Sequence, residues 1–437
     1  MRRQDSHFDR FLKIFAMLTF LTAFPAAPLG AQTARFARAG VNDTLWVQTG
    51  LNDVAVNAIA INGPGDLFAG AHGDGIFRSQ DNGETWQAVN TGLSNSVIYA
   101  LAVFNGGDFL FAGSDGDGVF RSADNGESWQ QIVSGLTNQA VLSLAIDPAG
   151  IIFAGTSLGG IFRSTDLGES WEAANDGLTS GEIVFDLMVH GNGDIYAATN
   201  AHGVFRSTDQ GDSWTLTGME NVDVRTLLSY TPEKIFAGAW FDGAFRFDPT
   251  AAAWSPSGLP ATHVMDLTAN GSGEIFAATH GRGVSRSTDG GVTWEDFNDG
   301  NISGGVWSLA LSSEGYLFAG TSGSGIFRTA APLVTTIDPG IAMLPARFVL
   351  EQNYPNPFNP TTVISYQLSV VSEINLSIFD VSGRQVRELV DARQSAGAYE
   401  VQWDGRNTRG EAVTSGIYFC TLTDGSQRQT RRMILMR

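Results

Sequence analysis

Five short segments place two chemically capable residues two positions apart: His72 and Asp74, Asp115 and Asp117, Asn200 and His202, Trp240 and Asp242, His280 and Arg282. A second series, Asn57, Tyr99, Leu142, Phe185, Arg225, Met265 and Trp307, opens a set of short apolar segments. Aromatic rings beside carboxylates and imidazoles suit a glycan, through stacking and hydrogen bonds, or a protein loop. Tyr99, Trp240 and Trp307 weigh most, because large aromatics are costly to expose without a partner. The same positions also fit loop residues that have simply drifted. A glycoside hydrolase needs an acid and a second carboxylate flanking one bond; the Asp-rich loops offer candidates but single out no pair. Asp115-Gly116-Asp117-Gly118 has a hint of calcium binding, yet it lacks the downstream bidentate glutamate and reads as a glycine-rich turn.

These residues must be held by a large folded body. The chain has 437 residues, 43% hydrophobic and 16% charged, which is globular rather than disordered. Its 52 glycines follow no three-residue period, so it is not collagen-like. A formal charge of -19 argues against a nucleic-acid or anionic-membrane binder. Cys420 is the sole cysteine, which excludes an intramolecular disulfide and a cysteine-based zinc cluster. The composition calls for no cofactor.

An internal repeat supplies the elements. Gly75-Ile76-Phe77-Arg78-Ser79-Gln80-Asp81-Asn82-Gly83-Glu84-Thr85-Trp86 recurs from Gly118 to Trp129, Gly160 to Trp171 and Gly203 to Trp214. It decays between Gly243 and Trp254, where Pro249 and Ala251 replace Asp and Gly, and returns between Gly283 and Trp294. The period of about 40 to 43 residues is that of a four-stranded propeller blade. In the second unit the predicted strands are Tyr99 to Val103, Phe109 to Gly113, Gly118 to Ser122 and Trp129 to Ile132, here A to D with A innermost. The D–A and B–C loops then share one rim, which gathers the candidate pairs. His72 and His280 fall on non-adjacent blades, which disfavours a metal held between them.

Two residue series are offset. Strand C carries Arg78, Arg121, Arg163, Arg206, Arg246, Arg286 and Arg328; strand D carries Trp46, Trp86, Trp129, Trp171, Trp214, Trp254 and Trp294. Trp46 has no strand C before it, and Arg328 has no tryptophan after it. The N-terminal strand is therefore expected to complete the last blade and close a seven-bladed ring, leaving no large open edge.

The Ser-x-Asp-x-Gly-x-Ser/Thr-Trp pattern resembles the Asp-box of bacterial neuraminidase-repeat propellers, over roughly residues 41 to 330. Repetition marks Asp81, Asp124, Asp166, Asp209 and Asp289 as structural, accepting turn N–H groups. The strand-C arginines read as scaffold for the same reason. A sialidase of this fold would need three arginines converging on the substrate carboxylate. Outside the repeated series only Arg225 and Arg282 are available, and no Arg-Ile-Pro segment stands near the N-terminus.

The ends carry targeting signals. Arg2, Arg3, Arg10 and Lys13 precede the apolar run Ile14 to Phe24 and the small-residue stretch to Ala31, which reads as a signal peptide over 1–31. No other long apolar run exists, so the mature chain should carry no transmembrane span. Residues 331–346 read as a linker and 347–437 as a small β-sandwich. This tail looks like the sorting domain of type IX secretion cargo, similar to the immunoglobulin-like domain of flagellar hook-capping proteins. Pro355, Asn356, Pro357, Gly416 and Tyr418 carry the motifs. The basic position near the terminus is Arg431 or Arg432 rather than the lysine of that family.

The expectation is an all-β chain: a seven-bladed β-propeller followed by an immunoglobulin-like β-sandwich. It would be secreted or held at the outer surface, with the type IX machinery as the tail's partner and a glycan or surface protein as the propeller's. The ligand candidates are Tyr99, Trp240, Trp307, His72, Asp74, Asp115, Asp117, His202, Asp242, His280, Arg282 and Arg225. The rival readings are a polysaccharide-active hydrolase and a structural part of a surface assembly.

Overall fold

A computed structural model describes residues 45–333 apart from 105–108, 232–233, 250 and 303–304. In the tail it describes 349–350, 353, 356, 358–368, 372–380, 383–394, 397–423 and 428–436. The signal segment 1–31, most of the linker, Pro355 and Pro357 lie outside these residues. Within them the chain is all-β, with seven four-stranded antiparallel sheets between Trp46 and Thr329.

In the first blade strand A is Val56–Ile61, B is Leu67–Ala71, C is Ile76–Ser79 and D is Gln87–Ala88. Strand B is covered on both faces and reads as a continuous run, Leu-Phe-Ala-Gly-Ala, buried throughout. Strand D is exposed and only two residues long. The expected D strand of the second unit, Trp129 to Ile132, shrinks likewise to Gln130–Gln131, because the tryptophan belongs to the turn and the ladder ends once strand C does.

The innermost strands stand side by side around an axis. They are Val56–Ile61, Ile98–Phe104, Val141–Ile146, Val184–Val189, Val224–Thr231, Val264–Ala269 and Val306–Leu311, and the last packs on the first. The first residue of each is a Val or Ile with no exposed surface. It seats against a small residue in strand B of the preceding blade. A Cβ on Gly113 would come within 2.7 Å of Val141 Cγ1, and one on Gly320 within 2.8 Å of Val56 Cγ1. Glycine is required there by close approach.

The last blade closes as the offset predicted. Trp46–Gln48 pairs with Ile326–Thr329, placing the N-terminal strand outside strands Leu317–Thr321 and Val306–Leu311. Trp46 is wholly buried. Its backbone N–H donates to Asp299, and Asn301 donates to its carbonyl.

The repeated turn is a compact hydrogen-bonded knot. In the third blade Ser164 Oγ donates to Asp166 Oδ1 at 2.8 Å and accepts from Gly168 N at 2.8 Å. Ser170 N and Oγ donate to the two oxygens of Asp166 at 2.9 and 2.6 Å. Asp81, Asp124, Asp209 and Asp289 are held in the same way. Their carboxyls are pushed below the ordinary aspartate value, first by the hydroxyl four residues on, and reach about 2 at Asp209 and Asp289. The tryptophan that follows bridges blades: Trp129, Trp171 and Trp214 donate from Nε1 to Val89, Ile132 and Ala174 of the blade before. Trp86 and Trp294 are only half-buried and turn to their own Gly83 and Gly291.

The strand-C arginines reach the other way. Arg78, Arg121 and Arg163 donate to the turn carbonyls of Asn125, Leu167 and Gln210 in the following blade, and Arg328 to Asn82 in the first. The next blade after Arg206 has the decayed turn, and Arg206 pairs instead with Asp194 of its own blade. Arg286 likewise folds back onto Glu295 and Glu274.

The tail is an immunoglobulin-like β-sandwich. One sheet orders Val349–Leu350, Thr362–Leu368 and Gly397–Trp403; the other orders Gln385–Gln394, Ser372–Asp380, Gly416–Thr423 and Arg428–Leu435. Its core is built on Trp403, Tyr366, Phe358 and Leu376. Tyr418 packs edge-on to Trp403 at 5.3 Å and donates its hydroxyl proton to Thr414 O. Asn356 accepts from Ile434 N and donates to Arg432 O, tying the first motif to the last strand. Gly416 opens the strand that Tyr418 and Cys420 share. Burial pushes the Cys420 thiol up to about 12, so it is inert.

Candidate functional site

Every strand A slips by one residue against strand B immediately after its buried Val or Ile. The skipped residues are Asn57, Tyr99, Leu142, Phe185, Arg225, Met265 and Trp307. A bulge leaves one residue out of the ladder and re-aims its side chain. Here all seven line one axial cavity of about 210 Å³. The repeat keeps the anchor before the bulge and leaves the bulged residue free to differ. The sequence series at the start of strand A is therefore a physical ring.

Two carboxylates line the same cavity, and the sequence reading missed them. Asp186 accepts from Leu187 N at 2.8 Å and, across to the next blade, from Leu227 N at 2.7 Å. Asp266 repeats this with Leu267 N at 2.8 Å and Leu309 N at 2.7 Å. Thr226 lies between them, its hydroxyl 3.4 Å from Asp266 Oδ1. Burial pushes Asp186 up to about 7, with the charge of Asp266 adding to it, and Asp266 up to about 6. The signal was present one residue after the bulge, where the blades read Ala58, Ala100, Ser143, Asp186, Thr226, Asp266 and Ser308.

A second cluster sits on the adjoining rim. The guanidinium of Arg225 lies 3.6 Å over Phe185 and 4.6 Å over Trp240, and its Nε is 2.9 Å from Asp223 Oδ1. Trp240 stacks on His263 at 4.4 Å and 12°. Phe241 meets His263 edge-on at 4.6 Å, and His280 stands 5.9 Å from it. Burial, then the neighbouring His280 and Arg225, lowers the His263 pKa from its ordinary value. His263 and Phe241 were not among the sequence candidates. His263 precedes strand A by one residue, just outside the two positions compared between repeats.

Tyr99, Trp240 and Trp307 are half-buried, not exposed, which corrects the expectation drawn from their size. Trp240 is covered because Arg225 and His263 reach it from neighbouring strands. The exposed aromatic is Phe241, at 51%. Arg225 is paired and stacked rather than open to an anion.

The remaining candidates do not converge. His72 lies 6.0 Å from Tyr99 at the edge of the ring. Asp74 and Asp242 are exposed. Asp117 accepts from Ser94 Oγ at 2.6 Å, and Asp115 bridges to Ala140 of the next blade. His202 pairs with Glu182 at 2.9 Å, and Arg282 is 3.9 Å from Asp296. Among the described residues no group of three His, Cys, Asp or Glu side chains is placed to hold a metal ion, and no helix is long and apolar enough to cross a membrane.

Residues 358–427 match the FlgD Ig-like domain family. No curated protein matches the chain. Among solved structures, PorZ, a bacterial surface component of the type-IX secretion system of Porphyromonas gingivalis, is similar with a TM-score of 0.50 and 17% identity, over 85% of this chain and 58% of PorZ. The extracellular domain of the hybrid two component system BT4673 from B. thetaiotaomicron gives a TM-score of 0.58 at 15% identity, over 74% of this chain and 45% of that one. The GH74 enzyme of Niastella koreensis gives 0.57 at 14% identity, over 89% and 74%. This chain thus spans about half the length of the first two. At such identities the likeness is one of fold, and that fold is a β-propeller.

Proposed function

We propose that the chain is an exported propeller that binds a glycan or a surface protein on the rim opposite its Ser-x-Asp turns. A C-terminal sorting domain of the type IX kind would deliver it across the outer membrane to the surface or the medium. One observation carries the binding reading: the residues in which the blades differ most gather at one mouth, as a bulged ring and the Trp240–His263–Phe241 platform. The opposite turns repeat one Asp-box geometry and serve the fold. The sorting reading draws support from the FlgD Ig-like match and from the tie between Asn356 and the last strand.

The test is a screen of glycans and envelope proteins on the full mature chain, run beside hydrolysis assays. Saturable binding that Phe241→Ala weakens supports the reading. Turnover of a polysaccharide replaces it with a hydrolase. Binding to neither, with recovery in a stable envelope complex, replaces it with a structural part.

A further inference from the structure

We propose that the rim between the fifth and sixth blades binds a sugar that carries a carboxylate, its ring laid on Phe241 and its anion set against His263, His280 and Arg282. The proposal deepens the reading of this rim as a ligand-binding face and rests on it. Side chains from three blades stack there in one row. Arg225 lies over the rings of Phe185 and Trp240, at 3.6 and 4.6 Å. Trp240 stacks on His263 at 4.4 Å, and His280 follows at 5.9 Å and 34°. Phe241 closes edge-on against His263 at 4.6 Å and leaves 51% of its own surface in solvent. A row wedged in this way is preformed, so a ligand spends little on ordering it.

The ring and the charge of the ligand follow from what the row leaves open. An exposed phenyl ring beside N–H donors suits a pyranose, whose C–H face stacks while its polar groups hydrogen-bond. His263 Nδ1 is buried without a partner, which leaves Nε2 as the nitrogen that meets solvent. Among the described residues no carboxylate lies within 4 Å of His263 or His280, whereas His202 on the fourth blade has Glu182 at 2.9 Å. Arg282, two residues after His280, is half exposed and touches Asp296 only at 3.9 Å, a loose surface contact. The other charged groups on the elements packed here are Arg225, Asp223 and Asp242. Arg225 and Asp223 are spent on each other at 2.9 Å, and Asp242 is exposed beside Phe241. In a chain of formal charge -19, two imidazoles and a loosely held arginine form a local reversal of sign. A carboxylate accepts from imidazole and guanidinium N–H groups alike. An acidic peptide would bring the charge without a sugar ring for Phe241.

Calorimetry on the full mature chain tests this with trigalacturonate, triglucuronate, the methyl ester of each, and triglutamate. At least one uronate should bind with unit stoichiometry. Its ester keeps the rings and loses the charge, and should bind about tenfold more weakly. Phe241→Ala and His280→Gln should each weaken the uronate by about tenfold, and Arg282→Gln by about threefold, with melting midpoints unchanged. Asp166→Ala, on the opposite rim, should leave its affinity as it is. Failure of both uronates to bind the folded chain overturns the proposal. So does an ester or triglutamate that binds as tightly, or uronate binding that His280→Gln and Arg282→Gln leave unchanged. A neutral glycan or an envelope protein that binds through Phe241 while both uronates fail overturns this proposal alone and leaves the rim reading standing.

Discussion

Trp46 and Phe297 are 251 residues apart, yet the Trp46 indole N–H donates to the Phe297 carbonyl at 2.8 Å and the two rings meet edge-on at 5.9 Å. This bond joins the N-terminal strand of the closing blade to the blade before it. Trp129, Trp171 and Trp214 make the same bond within the chain's interior. Trp46→Ala should therefore cost about 3–5 kcal/mol, and deletion of residues 41–52 should cost more or prevent folding. Urea melts of the three proteins check this; an unchanged midpoint for the deletion would sink the closure.

The turn knots should be felt as stability alone. Ser164 is 1% exposed and its Oγ is the acceptor for Gly168 N, whereas Asp166 sits at the surface. Ser164→Ala leaves a buried N–H unsatisfied and should cost about 1–3 kcal/mol, with Asp166→Ala nearer ~1 kcal/mol. Neither should alter the affinity of a rim ligand. If Asp166→Ala removes binding, the two faces of the ring have been assigned the wrong way round.

Stability should peak in mildly acid solution. Asp186 and Asp266 hold protons in the folded state up to about 7 and about 6, against 3.8 for an ordinary aspartate. Folding thus binds protons in that window, and stability falls as pH rises through it. The turn aspartates act in the opposite sense: their lowered pKa values make stability fall as pH drops from 3.8 towards about 2. Melting midpoints should be higher near pH 5 than at pH 8, and the Asp186→Asn, Asp266→Asn double variant should flatten that limb. A flat wild-type profile would mean that the cavity solvates both acids fully.

Phe241→Ala is the cleaner probe of the rim. Trp240 holds Arg225 and His263, so its removal disturbs the packing as well as the surface. Phe241 is half exposed, and its loss should weaken a rim ligand by about 1–3 kcal/mol with an unchanged melting midpoint. Trp307→Ala should weaken only ligands that reach the cavity. Titration calorimetry on the same variants decides between them.

Removing residues 346–437 should leave a folded propeller that stays in the periplasm. Among the described residues the seven blades draw no strand from beyond Thr329, so their sheets should survive the cut. Cell fractionation reads the outcome, and surface delivery of the shortened chain contradicts the sorting role.

Much of the fold was legible because it is periodic. The offset between Arg328 and Trp46 disclosed the closure, and the repeated Ser-x-Asp turn marked each C–D connection. The seven bulged residues were legible as the position where the blades disagree. Asp186 and Asp266 were overlooked, although they stand out one position further on among Ala58, Ala100, Ser143, Thr226 and Ser308. An alternating strand does not show that a one-residue slip brings that position to the axis as well. The covering of Trp240 was hidden for another reason: His263, which stacks on it, belongs to the loop leading into the next blade. Burial that depends on a neighbouring repeat leaves no mark within a single one.

The arginine grips between blades have a mechanical consequence. From the last blade through the fourth, the ring is laced at its perimeter by Arg328, Arg78, Arg121 and Arg163. Beyond that, Arg206 and Arg286 let go of their neighbours, and the ties shift to the hub: Asp186 to Leu227, Trp240 to His263, Asp266 to Leu309. On that side the perimeter keeps the tryptophan ties of Trp254 to Thr217 and Trp46 to Phe297 but loses the arginine grips, so the hub bonds carry more of the bracing. Anything that enters the axle lodges among the hub bonds of that side, beside Asp186 and Asp266.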